Sequence, residues 1–274
     1  MGLVNIDEEQ YRALPLMNQS AIKYGLKSMA HMKAYLDGEI SYESDALSLG
    51  SLVHAVVLEE EYVREMYAIM PKIDRRTKAG KLEYEDFMRV NSDRVICKQE
   101  DWDLAMKMRD SVRNHPAAAP LFKRKGKVEQ TLTWRDPDTG VDCKGRIDLL
   151  LPGKGRQKPM IVDLKTTQDA GPKFANSIAK FGYHTQAAFY KDGMEHGENK
   201  NCGFCIIAVE KTAPYAVGVY LLDGEAVEQG RKNYKRVLTQ WTECVASGNY
   251  PAYSLSPETL SLPDWAIEHE PLTI

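Results

Sequence analysis

Apolar residues recur at helical spacing through the first third of the chain. Ser20 is a candidate N-cap for a helix over residues 21–36, which Asp37-Gly38 would end. A second helix, starting near Ser44, carries apolar residues at helical spacing over 49–57. Residues 82–114 repeat the helical pattern, and Pro116 predicts its end because a residue before proline avoids the α region. The pattern therefore predicts a helical N-terminal lobe.

From residue 128 onward the pattern changes to alternation. Strands are predicted at 128–134, 141–151, 160–164, 204–209 and 215–222, with turn chemistry at 136–140. Helices are predicted at 173–195 and 225–247, the second closed by Gly248. This order predicts an α/β fold with a small, mostly antiparallel mixed sheet flanked by helices. We expect one domain over 1–274: a mainly helical lobe (1–120), an α/β core (121–250) and an irregular tail (251–274).

Composition narrows the class of protein. Of 274 residues, 43% are hydrophobic, and 36 Lys and Arg against 39 Asp and Glu give a net charge of −3, as in ordinary soluble globular proteins. Collagen-like, disordered and disulfide-scaffold classes are excluded. No apolar run approaches the ~18 residues of a membrane span, and the acidic N-terminus differs from a signal peptide. Five scattered cysteines are typical of a reducing compartment, so we expect a cytoplasmic protein with no membrane partner.

Two aspartates are the strongest chemical signal in the sequence. If strands 141–151 and 160–164 pair symmetrically about their connecting loop, Asp148 lies opposite Asp163, with Cβ atoms ~5 Å apart. Alternation places Lys165 on the same face as Asp163. Carboxylates this close, in apolar strands, resist ionising together, and a divalent cation such as Mg²⁺ or Mn²⁺ would relieve the repulsion. The alternative is a surface ion pair near a strand end.

His54 and a later pair of polar residues are weaker signals. His54 lies in an apolar helix with Gly50 one turn before it, and a glycine there costs ~1 kcal/mol relative to alanine. The imidazole could complete a metal site, or it could be a core histidine beside a helix-packing glycine. Gln186 and Tyr190 lie four residues apart on one helix face and could contact phosphates or bases. An ordinary amphipathic helix is the alternative.

Four motifs in order resemble a known family. They are Gly-x-x-x-His (50–54), Gly-Arg-Ile-Asp (145–148), Asp-Leu-Lys (163–165) and Gln-x-x-x-Tyr (186–190). The series resembles the RecB-type branch of the PD-(D/E)xK nuclease superfamily. The amino-acid sequences of the motifs are most similar to those of the RecE-like exonucleases (exodeoxyribonuclease VIII nuclease domain). The proline of the superfamily's Pro-Asp is Ile147 here. The resemblance implies a PD-(D/E)xK nuclease core.

The resemblance also implies an activity and its residues. It implies a Mg²⁺-dependent exonuclease, with Mn²⁺ as a substitute, that degrades linear double-stranded DNA 5′→3′ by metal-activated water. The 3′ single-stranded tails would serve a RecT-like annealing protein, and the enzyme would be a homo-oligomeric ring, a tetramer. The implied metal ligands are His54, Asp148, Asp163 and the Leu164 backbone carbonyl. Lys165 would assist the attacking water, and Glu129 matches an acidic position near the metals. Gln186 and Tyr190 would belong to a DNA-side motif.

Basic stretches and a cysteine pair complete the predictions. The stretch 72–81, with Arg75, Arg76 and Lys78, could contact the duplex, as could 123–127 and 154–158, and each could equally be a solvated loop. An iron–sulfur cluster needs four thiolates, so the single C-x-x-C at 202–205 predicts strand core and no cluster.

Other functions remain open from the sequence. An endonuclease or a Cas4-like nuclease would share the fold. A catalytically inactive DNA-binding protein would share it too, although all the catalytic residue types are present.

Overall fold

A six-stranded mixed sheet forms the centre of the protein. The structure is a computed structural model that describes residues 1–40, 49–254 and 256–263. The sheet has the order β1-β4-β5-β6-β7-β8, in which only β6 and β7 run parallel, and β2 and β3 form a separate parallel pair. The strands are β1 (Gly2–Val4), β2 (Tyr67–Ile69), β3 (Val95–Cys97), β4 (Lys127–Arg135), β5 (Asp142–Leu151), β6 (Met160–Thr167), β7 (Gly203–Glu210) and β8 (Val217–Leu221).

Helices cover both faces of the sheet, which gives three layers. The helices are α1 (Glu8–Ala13), α2 (Gln19–Gly25), α3 (Met29–Leu36), α4 (Leu49–Leu58), α5 (Val63–Met66), α6 (Lys78–Val90), α7 (Gln99–Asn114), α8 (Ala119–Phe122), α9 (Phe174–Phe181), α10 (Tyr183–Glu198) and α11 (Gly224–Ser247). One core cluster joins α2, α3, α10 and α11 to one face, and the other joins α4 and α7 to the opposite face. The α/β class is confirmed.

The prediction of one long helix over 21–36 is wrong, because the helix starts earlier and is divided into α2 and α3. Asn18, not Ser20, caps α2 by accepting from the Ala21 amide at 2.8 Å, and the chain breaks before Ser28 caps α3. A Cβ on Gly25 would lie 2.5 Å from Cγ1 of Val237 in α11. The last residue of α2 therefore has no room for a side chain, because a helix more than 200 residues away packs against it.

Three other boundaries differ from the sequence predictions. The predicted helix 82–114 is two helices, α6 and α7, because β3 interrupts it to pair with β2. Gly182 adopts φ 72°, which ends α9 and starts α10 where one helix over 173–195 was predicted. The first residues form an edge strand on β4, so the N-terminal lobe also contributes to the sheet.

Several predictions are confirmed. The strand–turn–strand over 128–151 forms as β4 and β5, with Asp136 accepting from the Thr139 amide in the turn. Helix α7 ends at Asn114 before His115-Pro116, and Gly248, with φ 71°, closes α11.

Some predictions concern the ends of the described ranges. The helix start near Ser44 lies outside the described residues. The described residues after 250 contain no helix or strand, and the proposed division into lobe, core and tail stays a prediction. Within 1–40, 49–254 and 256–263, none of the helices combines the length and apolar composition that crossing a membrane requires.

Candidate active site

The site lies where β5 stops pairing with β6 on one edge and skips one pair with β4 on the other. Strands β5 and β6 pair from Leu151 to Leu149, and the next positions in register are Asp148 and Asp163. The predicted register is therefore confirmed, but the described pairing ends one residue before the two aspartates. On the other edge of β5, Asp148 is in register with Glu129, which the β4–β5 pairing skips.

Glu129 has an unusual backbone conformation that explains the second interruption. Its φ is 50°, in the left-handed region that a residue with a side chain rarely adopts. Strain of this kind persists only where neighbouring contacts hold it, and it concentrates at functional sites. Gln130 supports the bend because its Nε2 donates to the Val128 carbonyl at 3.0 Å. The bend places the Glu129 carboxylate beside Asp148.

His54, Glu129 and Asp148 form a compact cluster of metal-ligating side chains. One ligand atom from each lies within 4.8 Å of the other two. Nδ1 of His54 is 3.6 Å from Oδ2 of Asp148, while Nε2 is 2.7 Å from the Leu164 carbonyl. Because that carbonyl can only accept, Nε2 carries a proton, and in the neutral ring Nδ1 is the nitrogen that presents a lone pair. The cluster thus offers one nitrogen and two carboxylates.

Both backbone polar groups of Leu164 contact the cluster. Its amide donates to Oδ2 of Asp148 at 2.8 Å, and its carbonyl accepts from His54. The sequence prediction made this carbonyl a metal ligand beside His54. The structure shows the two groups bonded to each other. The carbonyl oxygen has a second lone pair, so its role as a metal ligand stays a prediction.

Asp163 lies beside the cluster rather than within it, in a buried contact with two donors. It is 2% exposed, and its Oδ1 accepts from Nζ of Lys165 at 2.9 Å and from Nε2 of Gln186 at 2.7 Å. Oδ2 is 2.7 Å from the same Nζ but makes no well-angled hydrogen bond. Burial raises the pKa of Asp163 to about 6, against the opposing charge of Lys165. A buried carboxylate oxygen therefore keeps acceptor capacity beside the cluster.

Lys165 is held as a cation. Burial alone would lower the pKa of Lys165, but the charges of Asp163 and Asp148 offset it and the pKa is raised. Its Nζ also lies 5.1 Å from the ring centre of Tyr183, a cation–π contact. The ammonium group thus stays positive beside the carboxylates.

Arg146 is a residue of the site that the sequence reasoning did not single out. Its Nε donates to Oε2 of Glu129 at 2.6 Å and lies 3.3 Å from Oε2 of Glu8. Burial, then the charge of Asp148, raises the pKa of Glu129 to about 7 despite Arg146. Strand alternation from Asp148 gives the signal that could have found Arg146, because residues two apart share a face.

An open cleft of about 970 Å³ gives access to the cluster. Its walls come from the N-terminal segment before and within α1, from α4, and from Glu129 and Arg146 of the sheet. Glu59, just beyond α4, also lines it, and burial raises the pKa of that carboxyl. The sequence reasoning missed Glu59, although it follows His54 by little more than one helical turn.

Gln186 and Tyr190 lie inside the protein rather than on an outer surface. Gln186 is 8% exposed and donates to Asp163, and Tyr190 is 6% exposed. A Cβ on Gly145 would lie 2.7 Å from Cε1 of Tyr190, so this glycine permits close packing of the ring on β5. The contacts indicate that both side chains support the site from within. The predicted direct DNA contacts do not fit this burial.

The predicted basic contacts lie outside the cleft. Arg75 stacks on Tyr84 with its guanidinium 4.0 Å from the ring centre, and Arg76 pairs with Asp74. Lys78 is the first residue of α6, so it is helical rather than part of a loop. None of the three lines the cleft. Their role in DNA binding stays a prediction.

The cysteine pair occupies the core. Cys202 and Cys205 are 2% and 3% exposed and belong to the core clusters on opposite faces of the sheet. Burial raises the pKa of each thiol to about 11. Their packing agrees with the predicted strand-core position.

The donor set fits a hard divalent cation. Imidazole nitrogen, two carboxylates and the buried oxygen of Asp163 are ligands of the kind that Mg²⁺ and Mn²⁺ accept. Burial and then the charge of Asp148 raise the pKa of Glu129, and a bound cation would offset both by stabilising the ionised carboxylates.

Helices cover both faces of the sheet, and acidic residues and a lysine lie where the pairing between its strands stops. This arrangement defines a PD-(D/E)xK nuclease fold. The chain belongs to the family described as PDDEXK-like domain of unknown function (DUF3799), which matches residues 18–261. No functionally curated protein matches the sequence.

Two solved structures are similar to the chain. The crystal structure of a candidate exonuclease from Eubacterium rectale superposes with a TM-score of 0.60 at 15% identity, covering 95% of this chain and 96% of that one. The crystal structure of SSO0001 superposes with a TM-score of 0.29 at 11% identity, covering 68% of this chain and 85% of that one. The first likeness supports the fold.

Proposed function

We propose that the protein is a Mg²⁺-dependent exonuclease that degrades linear double-stranded DNA 5′→3′ and leaves 3′ single-stranded tails. The observation that carries the proposal is the cluster of His54, Glu129 and Asp148 at an open cleft, with the Asp163–Lys165 pair beside it. The PD-(D/E)xK fold supports a nuclease, that is, a phosphodiester hydrolase. The description of the Eubacterium rectale protein as a candidate exonuclease supports the exonuclease class.

The cluster would hold the cation through Nδ1 of His54 and the carboxylates of Glu129 and Asp148. Bound Mg²⁺ would supply charge neutralisation at the phosphate and a more acidic water. The backbone of Leu164 orients two of these ligands, because its amide fixes Asp148 and its carbonyl fixes the His54 tautomer. The protein thus prepares its ligands with backbone contacts that need no rearrangement.

Lys165 supplies positive charge for the transition state. Its side chain is 18% exposed, and the carboxylate of Asp163, 2.7 Å from Nζ, holds the ammonium group in place. A fixed cation stabilises the negative charge that develops on a phosphoryl oxygen during in-line attack. Gln186 completes the arrangement by fixing Asp163 from the core side.

Arg146 provides phosphate-binding capacity on the wall of the cleft. Its guanidinium contacts Glu129 and Glu8 through Nε. Its Nη1 donates a long hydrogen bond of 3.4 Å to the Ile6 carbonyl. A guanidinium has five donors, so several remain for a phosphate oxygen. The proposal therefore places the DNA backbone in the cleft between α4 and β5.

The partners in the proposal come from the family resemblance. They are a RecT-like annealing protein and a tetrameric ring of this chain around the DNA. A ring would keep the enzyme on one strand end during successive cleavages. Mass measurement in solution tests the ring, for which four chains per particle is the expected result and a monomer contradicts it.

The exonuclease activity is tested with three DNA substrates of the same sequence. They are a closed circle, a linear duplex labelled at one 5′ end, and a linear duplex labelled at one 3′ end, each incubated with Mg²⁺ or EDTA. We expect prompt release of the 5′ label from linear DNA, late release of the 3′ label, and intact circles. Cleaved circles would indicate an endonuclease, and prompt 3′ release would reverse the polarity. The absence of cleavage in Mg²⁺ and Mn²⁺ would leave a DNA-binding protein.

A further inference from the structure

An exposed aromatic ring stands between two lysines at the end of α9. Phe181 is 40% exposed, although phenylalanine is among the residues most often buried. Nζ of Lys180 lies 5.5 Å from the ring centre and Nζ of Lys23, from α2, lies 5.9 Å from it. Two separate helices therefore bring positive charge to the same exposed ring.

A chain of contacts joins this ring to the candidate active site. The Phe181 ring centre is 5.8 Å from that of Tyr183, and the Tyr183 ring centre is 5.1 Å from Nζ of Lys165. Gly182 makes the junction possible because its φ of 72° turns the chain between α9 and α10 and places the two rings side by side. The exposed ring is thus one aromatic residue away from the lysine of the site.

The combination matches the chemistry of single-stranded nucleic acid. Aromatic side chains bind unpaired bases by stacking, and neighbouring lysines bind the phosphates on either side of the base. A base inside a duplex has no free face, so a ring of this kind selects unpaired nucleotides. The two lysines also make the surface unfavourable for a basic or purely apolar partner.

We propose that Phe181, backed by Tyr183 and flanked by Lys23 and Lys180, is a stacking platform for an unpaired base of the DNA strand beside the active site. The inference rests on the proposed nuclease function and adds a binding subsite to it. The platform holds the unpaired strand next to Lys165 and so keeps the junction between single and double strand at the catalytic residues.

The test measures binding in EDTA, so that cleavage plays no part. The probe is a duplex with a short single-stranded tail that carries 2-aminopurine, compared with the blunt duplex of the same sequence. The variants are Phe181→Ala, the conservative Phe181→Tyr, and Tyr62→Ala, which removes another exposed aromatic ring (57% exposed). Circular dichroism and thermal unfolding report whether each variant is folded.

We expect stacking to quench 2-aminopurine in wild type, in Phe181→Tyr and in Tyr62→Ala. Phe181→Ala should lose the quenching and bind the tailed duplex about tenfold more weakly, with less than about a twofold change for the blunt duplex. Lys180→Gln and Lys23→Gln should each reduce the salt dependence of tail binding, the slope of log K against log salt, by about 0.7.

Two results would overturn the inference, and they differ in what they say of the nuclease. If wild type binds and degrades DNA while Phe181→Ala keeps both quenching and tail affinity, the platform is wrong and the nuclease proposal stands. If wild type neither binds nor degrades any of the DNA substrates, the proposed function fails and the platform fails with it.

Discussion

Replacing Gln186 by leucine distinguishes a positioning residue from a DNA contact. Nε2 of Gln186 donates at 2.7 Å to Oδ1 of Asp163, and both side chains are buried. A hydrogen bond to an ionised group contributes about 1.5–3 kcal/mol, and water cannot replace a donor at this depth. We therefore expect Gln186→Leu to lower the free energy of unfolding by about 2 kcal/mol and the Tm by roughly 4–8 °C.

The assay pairs urea unfolding with DNA binding in EDTA. Gln240→Leu, at an exposed position of α11, is the matched control and should leave both quantities unchanged. For Gln186→Leu we expect the loss of stability together with duplex affinity within about twofold of wild type, since a buried amide does not reach a phosphate. Unchanged stability with a tenfold loss of DNA affinity would refute the reasoning and restore the direct DNA contact suggested by the sequence motif.

Three further predictions follow from the packing and pKa shifts. Gly145→Ala should lower the free energy of unfolding by about 1–3 kcal/mol, because its Cβ would lie 2.7 Å from the Tyr190 ring. Urea unfolding measures this change, and an unchanged midpoint would contradict the close packing. Because the pKa of Glu129 is raised to about 7, protons compete with a divalent cation below that pH. Calorimetric titration with Mn²⁺ should therefore show affinity rising from pH 5.5 to 7 and levelling above it, whereas a flat profile would exclude Glu129 as a ligand. Burial raises the pKa of Cys202 and Cys205 to about 11, so neither thiol should react with a thiol reagent at pH 8 in the folded protein, as mass spectrometry would show.

The sequence was most informative where local patterns decide structure. The β5–β6 register followed from the alternation of apolar residues in the two strands and from pairing them symmetrically about their connecting loop. The register is well determined because a shift of one residue would turn apolar side chains away from the core. The same pattern placed Asp148 next to the last pair of that ladder. His54 could be singled out because Gly50, one turn before it, destabilises a helix relative to alanine. A glycine at such a position indicates a packing or functional role.

Long-range contacts set the features that the sequence did not reveal. The close approach of Val237 to Gly25 joins residues more than 200 positions apart, and β3 forms by pairing with β2. The left-handed backbone of Glu129 has no sequence signal, since glutamate is not a residue that favours φ 50°. The burial of Gln186 depends on Asp163, a residue on a different element.

The most direct test of the account is the Mg²⁺-dependent release of acid-soluble nucleotides from linear duplex DNA by wild type and Asp148→Asn. The asparagine oxygen can still accept from the Leu164 amide, so the substitution removes the charge and keeps the backbone contact. Asp74→Asn, at an exposed position outside the cleft, is the control. We expect release by wild type and Asp74→Asn that EDTA abolishes. We expect a loss of at least about 10–100-fold in Asp148→Asn, because removal of a group that only supports a metal ligand already costs that much. Wild-type rates in Asp148→Asn, or release that persists in EDTA, would contradict the account.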